Sequence, residues 1–192
     1  SATFVAHRRF RNERTRALFA GLAAHSFLSL DEPLSASFGM VLAAAAHAVG
    51  WPIPRGGAQS ITNALAAHLV QLGGRVTTST RIENLRQLPK CDLVLCDVTP
   101  RQLLHLSGGR LQGDVLSRQY RRRLANYRYG PGVFKVDYAL SAPIPWKAAE
   151  CLRAATVHVG GSIEEIVASE AAMAAGRAAE RPFILVAQPT LF

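Results

Sequence analysis

Acidic side chains are scarce in this chain: 13 Asp and Glu stand against 22 Lys and Arg, a formal charge of +9. Such a surplus admits two partner classes, nucleic acid and an anionic membrane surface. It comes from a low acidic count in an arginine- and alanine-rich sequence, and it bears on solubility and non-specific contact rather than on fold. Cysteine is scarce too. Three cysteines cannot build a disulfide framework, and the odd count suits a reducing compartment. Cys91 and Cys96 lie five apart, which on a strand turns them to opposite faces and away from a shared metal. No Cys-x-x-Cys or His-Glu-x-x-His occurs and the six histidines are scattered, so no metal centre is expected. Long apolar runs are missing as well. Phe38 to Ile53, 16 residues interrupted by His47, Gly50 and Pro52, falls short of the ~20 needed to span a bilayer. It reads as a buried helix, with a patch on a membrane surface as the lesser alternative. Ser1-Ala2-Thr3-Phe4-Val5 runs into arginine-rich sequence, unlike a signal peptide. The expected location is cytoplasmic, at most peripheral to a membrane.

The hydrophobic fraction is 49%, enough for a core, and 192 residues make one domain or two small ones. Three regions follow along the chain. Residues 1–53 are expected to be helical, with a first helix from Arg8 to His25 (core candidates Phe10, Leu18, Phe19 and Leu22) and a second from Leu34 to Val49, stopped by Gly50. Pro33 after Asp31 marks the start of the second. Its alanines allow another backbone to approach closely.

Residues 54–107 hold the densest run of local signals. Pro54-Arg55-Gly56-Gly57 is a tight turn. The helix from Gln59 to Leu72 places Ile61, Leu65, Leu69 and Leu72 on one face, and Gly73-Gly74 stops it. Val76-Thr77-Thr78 is β-branched, giving a strand from Arg75 to Thr80, with a second short one at Arg81 to Leu85. Leu93-Val94-Leu95-Cys96 reads as a strand buried on both faces and closed at Asp97-Val98-Thr99-Pro100.

Residues 108–192 are mixed. Val115 to Tyr127 reads as a helix, Gly132 to Leu140 as a strand, and Pro143-Ile144-Pro145-Trp146 as an extended connection. Thr156 to Val159 and Phe183 to Ala187 are short strands. Ser162-Ile163-Glu164-Glu165 is a capping box that opens a helix running to Gly176. On the Gly132 to Leu140 strand, Lys135 and Asp137 share one face, read as a solvent-facing pair, opposite Phe134, Val136 and Tyr138. The fold class so derived is α/β in the centre with α+β flanks.

The series Pro54, Gly56, Gly57, Ala64-Leu65-Ala66, Leu69, Gly73, Gly74, Val76, Ile82 and Leu85, followed by Leu93 to Pro100, resembles the middle segment of FAD-dependent amine oxidase and phytoene desaturase-like flavoproteins. Arg121-Arg122-Arg123-Leu124 and Tyr129-Gly130-Pro131-Gly132-Val133-Phe134-Lys135-Val136 resemble that family's next strand, which enters the substrate domain. The resemblance implies part of an FAD-binding domain (54–107) between parts of a substrate domain (1–53 and 108–192). It implies hydride transfer between an apolar small-molecule substrate and FAD. Desaturation, amine oxidation and isomerisation remain open, and no catalytic residue is indicated. The implied cofactor contacts are Gly56, Gly57, the backbone of Ile82 at the adenine end of FAD, and Asp97 with Val98.

The family's opening G-x-G-x-x-G is not in this sequence. The only Gly-x-Gly is Gly130-Pro131-Gly132, where proline removes a donor and Lys135 stands in place of a third glycine. With a start at Ser1, the chain reads as an internal piece whose main partner is the remainder of a parent flavoprotein, inactive and without retained FAD on its own. The rival reading is a non-catalytic basic module. Arg118, Arg121, Arg122, Arg123 and Arg128 with Tyr120, Tyr127 and Tyr129 supply charge and stacking surface for it. On a helix, though, Arg121 to Arg123 point about 100° apart and form a belt rather than a stripe, so specific nucleic-acid binding is not expected.

Overall fold

A computed structural model describes residues 1–108 and 116–191. In chain order the elements are α1 (Ala2–Arg9), α2 (Glu13–Ala24), α3 (Ser35–Ala48), α4 (Gln59–Gln71), α5 (Pro100–Leu106), α6 (Arg118–Ala125), β1 (Thr156–Val159), α7 (Ile163–Ala174) and β2 (Ile184–Ala187), with short 3-10 turns at Leu85–Gln87, Ala149–Arg153 and Pro189–Leu191. Among the described residues β1 and β2 form the one sheet, an antiparallel pair with Thr156 opposite Ala187 and Val159 opposite Ile184. The architecture is mixed helix with a small sheet, broadly α+β. The chain divides into two compact units, one of residues 1–64 and 130–192, the other of residues 65–129.

The first unit owns the core. Phe19, Ala20, Ala23 and Ala24 of α2 pack with Ala2 and Ala6 of α1, Leu30, Ala36 of α3, and Ile163 and Ile166 of α7. Small side chains dominate, so backbones lie close: a Cβ added at Gly39 of α3 would stand 3.1 Å from Phe19 and 3.3 Å from Ala23. The buried Ser35 hydroxyl accepts the Ala2 amide at 2.9 Å and donates toward the carbonyls of Leu30 and Glu32, tying the start of α1 to the loop before α3. The expected helix from Arg8 to His25 is two helices. Asn12 breaks it, because its side chain accepts the Arg14 amide and caps a new helix. Phe19 is core as expected, whereas Leu18, about 100° round the helix, is 63% exposed.

One buried-helix reading is corrected. In α3 only the edge with Ser35, Ala36 and Gly39 is buried, while Phe38, Met40, Val41, Val49 and Trp51 are exposed. In α4, Ile61, Leu65, Leu69 and Leu72 share a face, but that face is exposed. Amphipathic spacing sets which residues align; it does not supply the element that covers them. No helix among the described residues is long and apolar enough to cross a membrane.

Helix α4 ends as the paired glycines predict. Gly73 adopts φ +84°, its amide donates to Val70 and that of Gly74 to Leu69, the Schellman pattern. At α7 the Ser162 hydroxyl accepts the Glu165 amide at 3.4 Å, and a Glu165 carboxylate oxygen accepts the Ser162 amide at 2.9 Å. Glu165 also holds Arg181 at 2.7 Å. Any Cβ at Gly161 would collide with the Glu165 carboxylate, so the reciprocal cap needs glycine there.

The largest correction concerns strands. Residues 75–78, 93–97 and 132–140 run without a partner ladder, and no parallel α/β sheet is present among the described residues. Ser79, at φ +56°, turns the chain inside the expected Arg75–Thr80 strand. Leu85 opens a 3-10 turn instead of ending a strand. The run Leu93-Val94-Leu95, expected to be buried on both faces, is exposed, Leu95 at 87%. Phe134 is 91% exposed, and Lys135 pairs with Asp137 at 2.9 Å in solvent, as expected of that face. An isolated strand makes no internal hydrogen bonds, so its ladder depends on distant chain.

Candidate functional site

Within residues 65–129 a half-open cavity of about 450 Å³ is lined by Leu85, Arg86, Val94, Cys96, Leu103, Leu116 and Tyr120. Four local structures build its walls. Asn84 caps the 3-10 turn that carries Leu85 and Arg86, accepting the Arg86 amide at 2.9 Å. The extended 93–97 segment alternates its side chains, presenting Val94 and Cys96 together. Thr99 and Gln102 form a capping box around Pro100 at the first position of α5, which carries Leu103. Ser117 caps α6, which brings Tyr120. The lining is four aliphatic side chains with one guanidinium, one thiol and one phenol.

The α5 start is tied to the segment after α6. The Tyr129 hydroxyl accepts the Arg101 amide at 3.1 Å, and the Arg101 guanidinium lies 5.2 Å from the Tyr129 ring. That amide, with the Thr99 side chain, holds the Tyr129 phenol below its ordinary pKa. Tyr127 meets Tyr129 edge-on at 5.2 Å. Two of the three tyrosines read as stacking surface are therefore engaged with each other, and Tyr129 also with α5. On α6, Arg118, Arg122 and Arg123 are exposed, Arg121 is half-buried, and Leu124 is buried beneath them. The start of the expected helix at Val115 lies outside the described residues.

Gly56 and Gly57 adopt φ +83° and +81°, and the Gly57 amide closes the turn onto the Pro54 carbonyl at 3.0 Å. No atom lies within 4 Å of an added Cβ at either, so the turn is open to an approaching group. Ile82 is half-buried, and Asp97 and Val98 are exposed. Ile82, Asp97 and Val98 belong to the same unit as the cavity, each within three residues of a lining residue, whereas Gly56 and Gly57 belong to the other unit. None of the seven lining residues was named as a cofactor contact from the sequence; Tyr120 was read as stacking surface, and the aliphatic ones are indistinguishable in sequence from core. Cys91 and Cys96 are exposed free thiols. Among the described residues no three His, Cys, Asp or Glu side chains gather as a metal site.

No family model, curated protein or solved structure matches this chain.

Proposed function

We propose that this chain is part of an FAD-dependent oxidoreductase of the phytoene desaturase-like group, one that moves a hydride between an apolar substrate and the flavin. The observation that carries the reading is the set of extended segments at 75–78, 93–97 and 132–140, the last two rich in apolar side chains, all without ladder and exposed. Such segments suit strands of a sheet completed by further polypeptide. The order of the turn at Gly56-Gly57, helix α4 with its glycine stop, and the two extended segments supports the residue-by-residue resemblance. For the adenine end, the cavity within residues 65–129 has four aliphatic side chains in its lining, and Ile82, Asp97 and Val98 lie within three residues of lining positions along the chain; separately, the Gly56-Gly57 turn is open to an approaching group. The diphosphate has no glycine-rich cradle within these residues. FAD would supply the redox chemistry; the residues of this chain would bind its adenine end and keep water from an apolar substrate. The location that fits is cytoplasmic or peripheral to a membrane.

The test has two arms. Added FAD should pass through gel filtration without a stoichiometric yellow complex with the 192-residue chain. In the parent flavoprotein, Ile82→Val should leave flavin content unchanged, whereas Ile82→Pro, which deletes the backbone amide, should empty it. Full flavin occupancy in a folded Ile82→Pro parent would remove Ile82 from the adenine site.

A further inference from the structure

His25 follows the last turn of α2, and His158 sits in β1 opposite Leu185 of β2. Their Nε2 atoms stand 3.3 Å apart, with ring centroids at 5.2 Å and planes inclined by 43°. Phe183 meets the His158 ring edge-on at 5.3 Å. Gly21 closes the other side: an added Cβ there would lie 2.9 Å from His158 Nδ1, so the absence of a side chain makes room for the imidazole. Both rings are half-buried. The pair joins residues 133 apart in sequence, and neither spacing nor composition hinted at it.

Nitrogen lone pairs dictate what this contact tolerates. With both rings neutral, one Nε2–H donates to the other Nε2. A first added proton keeps the bond as N–H⁺···N, which is stronger. A second leaves two N–H groups and two positive charges face to face at that distance, which solvent reaching half-buried rings screens only in part. We propose that His25 and His158 form a proton-operated latch, which holds the end of α2 to β1 while the pair carries at most one extra proton and releases it when the second imidazole is charged.

The surroundings isolate the pair. Strand β2 carries no titratable side chain in Ile184–Ala187. Helix α7, packed on α2, carries Glu164, Glu165 and Glu170. Glu164 is held down first by its own backbone amide and the Ser162 hydroxyl, with His7 of α1 and Arg16 of α2 as its charged neighbours. Glu165 is held by the Ser162 amide and Arg181. Glu170 is buried, and burial alone pushes its carboxyl pKa up. His47, on the last turn of α3, is exposed. Burial and then the charge on His25 hold His158 below the ordinary imidazole value. A lowered folded value means that an opened His158 binds its proton at higher pH than the latched one. The contact is therefore fully held above about pH 6.5 and lost as pH falls through the lowered value.

The experiment uses the whole chain in EDTA, measuring the unfolding constant in urea from pH 8 to pH 5 for the native protein and for His25→Gln and His158→Gln. Relative to either variant, the native protein should lose stability as pH falls below about 6.5, its unfolding constant rising up to tenfold per pH unit where the opened form binds one more proton. Glu170, common to all three, cancels in that difference. A difference that is constant with pH would overturn the latch and leave only packing. Should the variants fail to fold, ¹H–¹³C spectra of the native imidazoles decide. Two coupled steps with the second displaced to low pH support the latch, and two independent titrations at ordinary values refute it.

Discussion

Ser162→Ala probes the start of α7 with little else disturbed. The hydroxyl accepts the Glu165 amide at 3.4 Å, at the long end for such a bond, so its removal should cost about 0.5–1 kcal/mol, the lower half of the N-cap range. The helix cannot escape the loss by fraying, because Ile163 and Ile166 immediately downstream are 1% and 3% exposed core residues. Nor is the cap wholly lost, since Glu165 still accepts the Ser162 amide and still holds Arg181. With a urea slope near 2 kcal/mol/M, the midpoint should fall by about 0.25–0.5 M at unchanged slope. Ser162→Asn, which keeps a capping oxygen, should restore most of it. An unmoved midpoint, or an equal fall in the asparagine variant, would refute the capping argument.

Glu165 predicts an acid limb to stability. The Ser162 amide and then Arg181 hold its carboxyl below the ordinary value, so the contribution is present above about pH 4.5 and fades as pH falls through the lowered value. Glu165→Gln should flatten that limb in a plot of urea midpoint against pH, while a limb of unchanged steepness would assign it to other carboxylates. Gly160→Ala should cost about 1–3 kcal/mol, because the new methyl would lie 2.6 Å from the Phe183 ring and 2.8 Å from Ile166; thermal unfolding at a neutral midpoint would refute the crowding.

The sequence by itself determined the punctuation of the chain. The capping box at Ser162, the glycine stop after α4 and the positive-φ turn at Gly56-Gly57 all depend on side chains and backbone within a few residues of one another. The Thr99-Pro100-Arg101-Gln102 start of α5 was written in the same local code, though a strand terminus was read there. Burial was decided only in three dimensions. Spacing aligned Ile61, Leu65, Leu69 and Leu72, and composition made 93–97 extended, yet neither could say whether another element would lie against them. The same reason hid the cavity lining and the His25–His158 contact: they join residues whose separation along the chain carries no periodic signal, and only the packing of α2, β1 and β2, or of α5 and α6, brings them together.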